Sequence, residues 1–451
     1  MDIFERVKSS QNKDDMLKRA LEVLVQLYTD KTHFVYELLQ NAEDAGASEV
    51  KFVQHEDRLE VMHNGVPFSD SNLRALCNIA MSDKRKADGE LNKIGEFGVG
   101  FKSVFGICEK VFVISRPKEE DLKNGYERFA GVIENFIDFN PVEDEEREDD
   151  GFEERFTTKF VFPYAAGRSF SGFDSVEKLK SAVSERLKDL GITTLLFMRN
   201  LKSIDYEINL PQGSKCEKGD DGEGTGIYRL EKRQIGEHYW LVSAFGHDNS
   251  KNPQAIEGKK GAILYKEGKN EQTQQTQYLV FSRAIEWLPG KTVDLAFSVV
   301  VDEGAGEGKE KFVFKPAKNP YVSVYFPTEV ESKLKFIVQG PFRTTPNRSN
   351  VPSENEENRR LAKEASRLLK DVVLELRDKN TLDLSFLNVL PIEESVFSSF
   401  PLFRQMFFDV KELLLNEKTL PCRDGTYQDA RSVKIARGEN LEELFEGKVL
   451  S

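Results

Sequence analysis

The sequence predicts an α/β sandwich, in which helices cover a mixed β-sheet, followed by a strand-rich α+β domain and a mixed C-terminal segment. Two observations carry this prediction. In the first part of the chain, runs with hydrophobic residues at helical spacing alternate with short strand-like runs. Further on, alternating apolar runs such as "DLAFSVVV" (294–301) and "YVSVYF" (321–326) recur. The predicted domains are residues 1–205, 206–380 and 381–451.

The elements follow in order along the chain. Gly46 is expected to end the second helix, because glycine readily adopts the left-handed conformation found after helix C-termini. The predicted helices are 12–29, 31–45, 71–80, 175–190 and 353–378. The predicted strands are 49–54, 58–62, 110–115, 128–133 and 158–163, with one or two more within 193–208. The predicted loops include 212–226, 247–260 and 302–310.

Composition restricts the class of protein. With 39% hydrophobic and 31% charged residues, the chain resembles globular rather than disordered proteins. No apolar run reaches the roughly 20 residues of a membrane span, and the polar N-terminus "MDIFERVKSSQNKDD" is not a secretion signal. Four scattered cysteines without a CxxC pair predict reduced thiols in a cytoplasmic protein. The net charge of −13 disfavours a broad nucleic-acid-binding surface, although a local basic groove stays open.

The stretch "IGEFGVGFKSVF" (94–105) places Gly95, Gly98 and Gly100 directly before a predicted helix. Glycine permits positive φ angles and lets a ligand approach the bare backbone. The free N–H groups and partial positive charge at a helix N-terminus favour phosphate. A tight turn at a helix start explains the same pattern, so this stretch alone leaves both interpretations open.

The second predicted helix, "FVYELLQNAEDAGAS", carries Glu37, Asn41 and Asp44 near one face. Magnesium prefers oxygen ligands and keeps several waters, so the Asn41 carbonyl together with phosphate oxygens would hold it. A carboxylate one turn away can orient a water and accept its proton during attack on a terminal phosphate. The spacing therefore suits nucleotide hydrolysis, and a solvated polar face is the alternative.

A third element, "LEVMHNGVPFSD", follows a predicted strand at once. His63 and Asn64 offer polar edges, and Gly65 would allow close approach of a ligand. A simple strand-ending turn has the same composition.

In order and spacing, these three elements resemble the Bergerat-fold ATP site of the GHKL superfamily, which includes ninety-kilodalton heat-shock chaperones, gyrase B, MutL and histidine kinases. The resemblance covers about residues 15–200 and includes a polar stretch, "MSDKRKADGELNK", at the place of an ATP lid. The "HNG" turn, "MSDK" and the later "YFPTEVESKLKFIVQGPFRTTPNRSNV" are similar to the sacsin-type branch of heat-shock-chaperone-like proteins. The fold implied is a Bergerat/GHKL α/β sandwich followed by a middle domain.

The resemblance implies ATP and Mg²⁺ as ligands and a role for each matching position. Glu37 would be the general base, Asn41 the magnesium ligand and Asp44 a polar neighbour in the pocket. Thr158 would lie near adenine, although Thr194 competes for that position. Residues 82–93, with Lys84, would form the lid, and the residues expected along the triphosphate are Gly95, Gly98, Val99, Gly100 and Phe101. Lys102 is expected near phosphate, or else as a solvated helix residue.

One position departs from the superfamily pattern. An aspartate that accepts a hydrogen bond from the adenine amino group normally stands where this chain has His63. A neutral imidazole nitrogen could accept that bond, or Asn64 could supply a carbonyl in its place. Base specificity is therefore left open.

The sacsin-type resemblance also implies that the middle domain supplies a basic residue to the nucleotide. Arg343 and Arg348 of "GPFRTTPNRSN" are the candidates, with Arg348 favoured, because guanidinium stays charged and can bridge two phosphate oxygens. The alternative is that both arginines hold their loop together.

The function implied is an ATP-hydrolysing conformational switch that acts on a protein client or controls an effector, in bacterial defence for example, with an ATP-dependent homodimer. A second hypothesis is a scaffold that holds ATP without cleaving it, although a positioned Glu37 argues against that. A histidine kinase would need a phosphoacceptor histidine on a preceding helix, and only His33 precedes the site. A DNA clamp would need a basic surface, which the net charge of −13 disfavours.

Overall fold

The computed structural model describes most of the chain and resolves two compact units. The first unit comprises residues 1–232 and 242–275, and the second comprises 233–241 and 276–451. The predicted domain boundaries at 205 and 380 stay predictions. The described residues are 3–8, 21–23, 25, 31–77, 100–142, 152–167, 172–208, 226–248, 254–257, 263–266, 272–302, 311–317, 320–345 and 348–433.

The first unit is built on a mixed sheet. Its strands are β1 (Glu49–Gln54), β2 (Arg58–His63), β3 (Lys110–Ser115), β4 (Phe129–Glu134), β5 (Asp138–Pro141), β6 (Thr158–Pro163), β7 (Ser203–Ile208) and β8 (Gly226–Gln234). They lie in the order β8-β7-β1-β2-β6-β3-β4-β5. β1 and β7 pair in parallel, whereas the other neighbours are antiparallel. The chain continues through β9 (Tyr239–Asp248) and the hairpin of β10 (Gln254–Glu257) and β11 (Ile263–Lys266).

The helices of the first unit are α1 (Ile3–Lys8), α2 (Phe34–Asp44), α3 (Asp70–Cys77), α4 (Glu119–Lys123) and α5 (Val176–Lys188), with 3₁₀ helices at Gly100–Gly106 and Ile192–Thr194. Of these, α2 and α5 pack on one face of the sheet. The ring of Phe34 in α2 lies 6.5 Å from that of Phe162 in β6. On the same face, Gln54 donates to the Lys180 carbonyl and accepts from Ser184, both in α5. The predicted α/β sandwich of Bergerat/GHKL type, a mixed sheet covered by helices, is confirmed.

A buried carboxylate fixes the C-terminal end of α2. Glu43 is only 3% exposed and accepts hydrogen bonds from the backbone N–H groups of Arg199, Asn200 and Leu201 at 2.7–2.9 Å. These residues immediately precede β7, and a carboxylate that accepts several N–H bonds satisfies donors that would otherwise be buried unpaired. Glu43 therefore ties the end of α2 to the chain that enters β7.

The opposite face of the sheet carries a network of charges. Lys159 is fully buried, and its Nζ lies 2.9 Å from Glu60, which also accepts a 2.7 Å hydrogen bond from Arg58. Burial alone would raise the pKa of Glu60, but hydrogen bonds from His55, Arg58 and Lys159 lower that pKa to about 2. The Glu60 carboxylate is therefore ionised at neutral pH, and its partners are part of the fold.

The second unit packs helices on its own sheet. Its strands are β12 (Gln272–Ala284), β13 (Thr292–Asp302), β14 (Lys311–Lys315), β15 (Tyr321–Val324), β16 (Phe326–Glu331) and β17 (Ile337–Gln339), ordered β16-β15-β17-β13-β12 with β14 beside β13. Its helices are α6 (Glu356–Asp378), α7 (Leu384–Leu387) and α8 (Arg404–Asn416), with 3₁₀ helices at Glu394–Phe397 and Pro401–Phe403, followed by β18 (Leu420–Pro421) and β19 (Tyr427–Gln428). Phe297 of β13 lies 4.8 Å from Phe336 and 5.1 Å from Phe386 of α7. Residues on both sides of position 380 thus share one hydrophobic core.

Most predicted helices and strands are present within a few residues, but several expectations differ. The segment after the glycines is a 3₁₀ helix, Gly100–Gly106, and 193–198 is a 3₁₀ turn and coil rather than a strand. The run 321–326 is two strands, because Tyr325 has φ 65° and reverses the chain between β15 and β16. The predicted loop 247–260 contains β10. Most of the predicted helix 12–29 lies outside the described residues.

Within the described ranges, we find no helix that combines the length and the apolar character needed to cross a membrane.

Candidate functional site

The polar face predicted for α2 is present. Glu37, Asn41 and Asp44 are half-buried, whereas Leu38 and Leu39 between them are buried against the core. The 3.6-residue period of the helix produces this division, because positions 37, 41 and 44 fall on one side. The structure therefore brings a carboxylate, an amide and a second carboxylate to one surface.

Gly100 lies directly against the carboxylate of Glu37. A Cβ added at Gly100 would come within 1.9 Å of Glu37 Oε2 and 2.6 Å of Cδ. Any side chain at this position would displace the carboxylate, so only glycine allows the observed contact. The structure thus joins two of the three sequence elements, the α2 face and the end of the glycine stretch.

His33 is a neighbour of Glu37 that the sequence prediction missed as a site residue. Its Nε2 lies 3.3 Å from Glu37 Oε1, and the side chains are 7% and 18% exposed. The signal was available, because residues four apart on a helix face one another. A buried imidazole at this distance restricts the orientation of the carboxylate.

Phe101 and Lys102 turn inward from the start of the 3₁₀ helix. The Phe101 ring lies 5.6 Å from that of Phe160 in β6. Lys102 is 2% exposed, and its ammonium donates to the carbonyls of Leu76 and Phe136. Burial lowers the pKa of Lys102 to about 8. Lys102 is therefore not a solvated helix residue here, and its role near phosphate stays a prediction.

His63 ends β2 as a buried, neutral imidazole. It is 5% exposed, and burial lowers its pKa to about 4. Its Nδ1 accepts a hydrogen bond from the Gly65 N–H at 3.2 Å. The ring nitrogen that could accept a bond from a ligand is therefore occupied, because the remaining Nε2 of such a ring carries the proton.

Asn64 and Gly65 both lie against the backbone near the end of α2 and the start of β1. Asn64 Oδ1 accepts from the N–H groups of Ser48 and Glu49 at 2.9 and 3.0 Å, so this carbonyl is engaged with the backbone. A Cβ at Gly65 would lie 2.7 Å from the Ala45 carbonyl oxygen, so the close approach that this glycine permits is to the chain after α2. Ligand contacts for both residues stay predictions.

Thr158 lies opposite His63 in the β2–β6 ladder. Its side chain is completely buried, and its Oγ1 has no hydrogen-bond partner among the described residues. Thr194, the competing candidate, lies in the Ile192–Thr194 3₁₀ helix. The structure therefore places Thr158, and not Thr194, beside His63 on the sheet.

The two candidate arginines belong to the second unit and have partners there. Arg343 Nε donates to Glu357 at 2.7 Å, and the buried Asn358 side chain bonds both the N–H and the carbonyl of Arg343. Arg348 has φ 56° and donates to the Val324 carbonyl at 3.0 Å, with its guanidinium 5.7 Å from the centre of the Phe326 ring. Both arginines thus help to hold their loop, and a role toward the nucleotide stays a prediction.

Several predicted site residues lie outside the described residues. They are Lys84, Gly95, Gly98 and Val99, together with the predicted lid 82–93.

Among the described residues, no group of three or more histidine, cysteine or acidic side chains could hold a metal ion by itself. Mg²⁺ commonly binds to a protein through one or two oxygen ligands and takes its remaining oxygens from phosphate groups and water. Asn41, half-buried on the same face as Glu37, fits that requirement.

Residues 28–141 match the histidine kinase-, DNA gyrase B- and HSP90-like ATPase family. The matched range contains α2, the 3₁₀ helix at Gly100 and strands β1 to β5. It therefore covers the segments in which Glu37, Asn41, His63 and Gly100 lie.

Individual relatives match about the same share of the chain. The chain is 37% identical to Protein NO VEIN of Arabidopsis thaliana over 105 residues, which are 22% of this chain and 4% of that protein. It is 32% identical to human Sacsin over 112 residues, 21% of this chain and 2% of Sacsin. It is 30% identical to Chaperone protein HtpG of Aliarcobacter butzleri over 126 residues, 21% of this chain and 20% of HtpG.

The matches thus span between 2% and 20% of the length of these three relatives, so they concern one domain. Residues 28–141 of this chain form a domain of the histidine kinase-, DNA gyrase B- and HSP90-like ATPase family.

Proposed function

We propose that the chain binds ATP with Mg²⁺ and hydrolyses it, and that this reaction operates a conformational switch of the heat-shock-chaperone-like, sacsin-like type. The observation that carries the proposal is the contact between the Glu37 carboxylate and Gly100, at the end of the glycine stretch. A carboxylate at the start of a helix and next to a glycine-rich segment is where a water attacking a terminal phosphate would need a base.

The residues present fit a bound Mg²⁺–ATP. Asn41 would supply one oxygen ligand to the ion, and Asp44 a nearby polar group. The ion would neutralise charge on the phosphate oxygens, which is the chemistry that it supplies when bound. The buried Thr158 hydroxyl, which has no partner in the described part of the chain, is an available group for the other end of the nucleotide.

In this proposal Glu37 orients a water and accepts its proton. His33, 3.3 Å from the Glu37 carboxylate, restricts the rotation of that side chain and is a positioning residue. Hydrolysis would reset a switch that ATP binding sets, as lid and domain closure do in other enzymes.

Asn41→Ala is expected to weaken binding of ATP in the presence of Mg²⁺ by about tenfold or more, because the amide oxygen ligand is lost. Isothermal titration calorimetry with ATP, in buffer with Mg²⁺ and in buffer with EDTA, measures this. The difference between the two buffers should shrink in Asn41→Ala. Asn124→Ala, at an exposed asparagine after α4, is the control and should behave as wild type.

A phosphate-release assay on the wild-type protein, run beside this titration, distinguishes hydrolysis of ATP from binding without hydrolysis. Phosphate release by the wild-type protein supports the switch, whereas tight Mg²⁺-dependent binding without any phosphate release supports the scaffold alternative. Failure of the wild-type protein to bind ATP in either buffer would contradict both hypotheses.

Gly100→Ala is expected to fold but to lose about 10²-fold in the rate of ATP hydrolysis. The new Cβ would collide with the far end of Glu37, a flexible side chain that can rotate away at small cost to stability. The base would then be misplaced. Single-turnover phosphate release and thermal unfolding measure the two effects. Gly191→Ala is the matched control, since its nearest atom would be the Asp189 carbonyl oxygen at 3.9 Å. Equal rates in the two variants would refute the role of the contact.

Arg348 is proposed as the basic residue that the second unit supplies to the phosphates. Asn358 donates to the carbonyls of Arg343 and Pro352, on either side of Arg348, and so holds this loop. The positive φ of Arg348 sets the direction in which its side chain leaves the backbone. Arg348→Ala is expected to lower kcat about tenfold or more with little change in ATP affinity. Arg343→Ala, which removes the bond to Glu357, is the comparison and should act mainly on stability. An unchanged kcat in Arg348→Ala would contradict this role and would show that Arg348 only stabilises its loop.

A protein client or effector and an ATP-dependent homodimer stay predictions from the resemblance. The matched segments cover between 2% and 20% of each of the three named relatives. The proposal for this chain is therefore confined to the ATP-driven switch.

A further inference from the structure

Three buried polar side chains form a row across the sheet of the first unit. His63 of β2 pairs with Thr158 of β6, and Thr158 pairs with Ser115 of β3. Directly paired residues of antiparallel strands point to the same face. Val50 and Phe129, the next residues along this line, are both buried and apolar. This polar row, His63–Thr158–Ser115, therefore interrupts an apolar layer.

The two hydroxyls of the polar row make no hydrogen bond within the described structure. Thr158 and Ser115 are 0% and 1% exposed, and neither Oγ1 of Thr158 nor Oγ of Ser115 has a hydrogen-bond partner there. Buried hydroxyls in native proteins are almost always hydrogen-bonded. Two such groups side by side on one face therefore offer hydrogen-bonding capacity to a ligand.

The hydrogen-bonding sense of His63 is fixed by the chain. Because Nδ1 accepts from the Gly65 N–H, the ring proton resides on Nε2, and Nε2 can only donate. Protonation of the ring would not change this. The hydroxyls of Thr158 and Ser115 can rotate to donate or to accept. The polar row thus contains one fixed donor, two adaptable groups and no fixed acceptor.

The polar row borders an aromatic surface that leads to Gly100. Phe160, two residues from Thr158 on the same strand face, lies 6.4 Å from the His63 ring, 5.8 Å from Phe68 and 5.6 Å from Phe101. Phe101 directly follows Gly100, which lies against Glu37. An apolar surface with a polar edge suits the flat ring of a nucleobase.

We propose that the polar row reads the base of the bound nucleotide through a donor at His63, so that the site accepts 6-oxopurine nucleotides alongside ATP. This rests on the proposed function. Adenine offers ring nitrogens that accept a bond from His63, and a 6-oxopurine offers its carbonyl. A fixed carboxylate would repel that carbonyl, and the polar row contains none.

The first test is the affinity of the wild-type protein for ATP and for inosine triphosphate, measured by calorimetry with Mg²⁺. Inosine differs from adenosine only in having a carbonyl at position 6 and a proton on N1. The two dissociation constants are expected to agree within about threefold. An ATP preference above about thirtyfold overturns the inference while leaving ATP binding intact, whereas binding of neither nucleotide removes the proposed function as well.

The second test reverses the polarity of the polar row. His63→Asp introduces an acceptor and is expected to shift the affinity ratio toward ATP by about tenfold or more. An unchanged ratio in a folded variant contradicts the role of His63.

Ser115→Ala is the companion variant, because it removes a hydroxyl that has no partner in the described structure. Without nucleotide, its melting temperature should equal or exceed that of the wild-type protein. Its affinity for both nucleotides should fall about fivefold to tenfold. A loss of stability with unchanged affinity would show that the hydroxyl serves the fold, and would overturn this part of the proposal.

Discussion

Glu37→Gln is expected to lower the kcat of ATP hydrolysis by about 10²- to 10⁴-fold, because this is the range of rate that is lost when a general base is removed. Glutamine keeps the size and polarity of the side chain but cannot take a proton from water. Binding of ATP should change little, because the proposed ligands of Mg²⁺ and phosphate are elsewhere. Single-turnover phosphate release and calorimetric binding measure the two quantities.

Glu120→Gln, an exposed glutamate of α4, is the matched control for this variant and should keep wild-type activity. A Glu37→Gln protein that releases phosphate at the wild-type rate would contradict the assignment of the base. A variant that loses ATP binding instead would move Glu37 from catalysis to ligand binding. The contact with Gly100 makes the first result the expected one, because it places the carboxylate beside the glycine stretch.

Lys159→Met is expected to lower the free energy of unfolding of the first unit by about 3–5 kcal/mol, the cost of leaving a buried charge without its partner. Glu60 would keep Arg58, but Lys159 is the partner that lies on the buried side. The double variant with Glu60→Gln should recover much of the loss. Lys178→Met, which breaks an exposed pair with Asp174, should change stability by less than about 1 kcal/mol.

Native-state amide exchange in β2 and β6 is the appropriate measurement for this prediction. Both tryptophans of the chain, Trp240 and Trp287, belong to the second unit, so fluorescence would not report on the first. Equal exchange rates in Lys159→Met and wild type would refute the prediction.

The same ion pair predicts how stability depends on pH. The pKa of Glu60 is about 2 in the folded protein and 4.5 in its ordinary state, so the unfolded chain takes up the proton more readily between these values. The stabilising contribution is therefore complete above pH 4.5 and is lost as pH falls toward 2. In Lys159→Met this acid dependence should be weaker.

The elements that follow a single period were predictable from the sequence. Helix α2 and strands β1, β2, β3 and β6 agree with their predicted ranges within about three residues, because hydrophobic spacing alone determines which side of each element is buried. The grouping of Glu37, Asn41 and Asp44 follows from the same spacing. The proximity of Glu37 to Gly100 was predictable only through the family resemblance.

The remaining differences come from contacts between residues distant in sequence. Lys102 bonds carbonyls at positions 76 and 136, and Asn64 bonds the backbone at positions 48 and 49. No local pattern reveals such partners. His63 is a related case. Its Nε2 is a donor because its Nδ1 accepts a hydrogen bond from the Gly65 N–H. His33 was missed for a different reason, because the sequence prediction considered it only as a phosphoacceptor.

The hydrogen bonds that Glu43 accepts from the chain before β7 make the opening of α2 measurable. The amide protons of Arg199, Asn200 and Leu201 are all held by this one carboxylate. They can exchange with solvent only when the end of α2 separates from that segment. Their exchange rates therefore record the opening of the helix that carries Glu37, at a position where no substitution and no label disturbs the site.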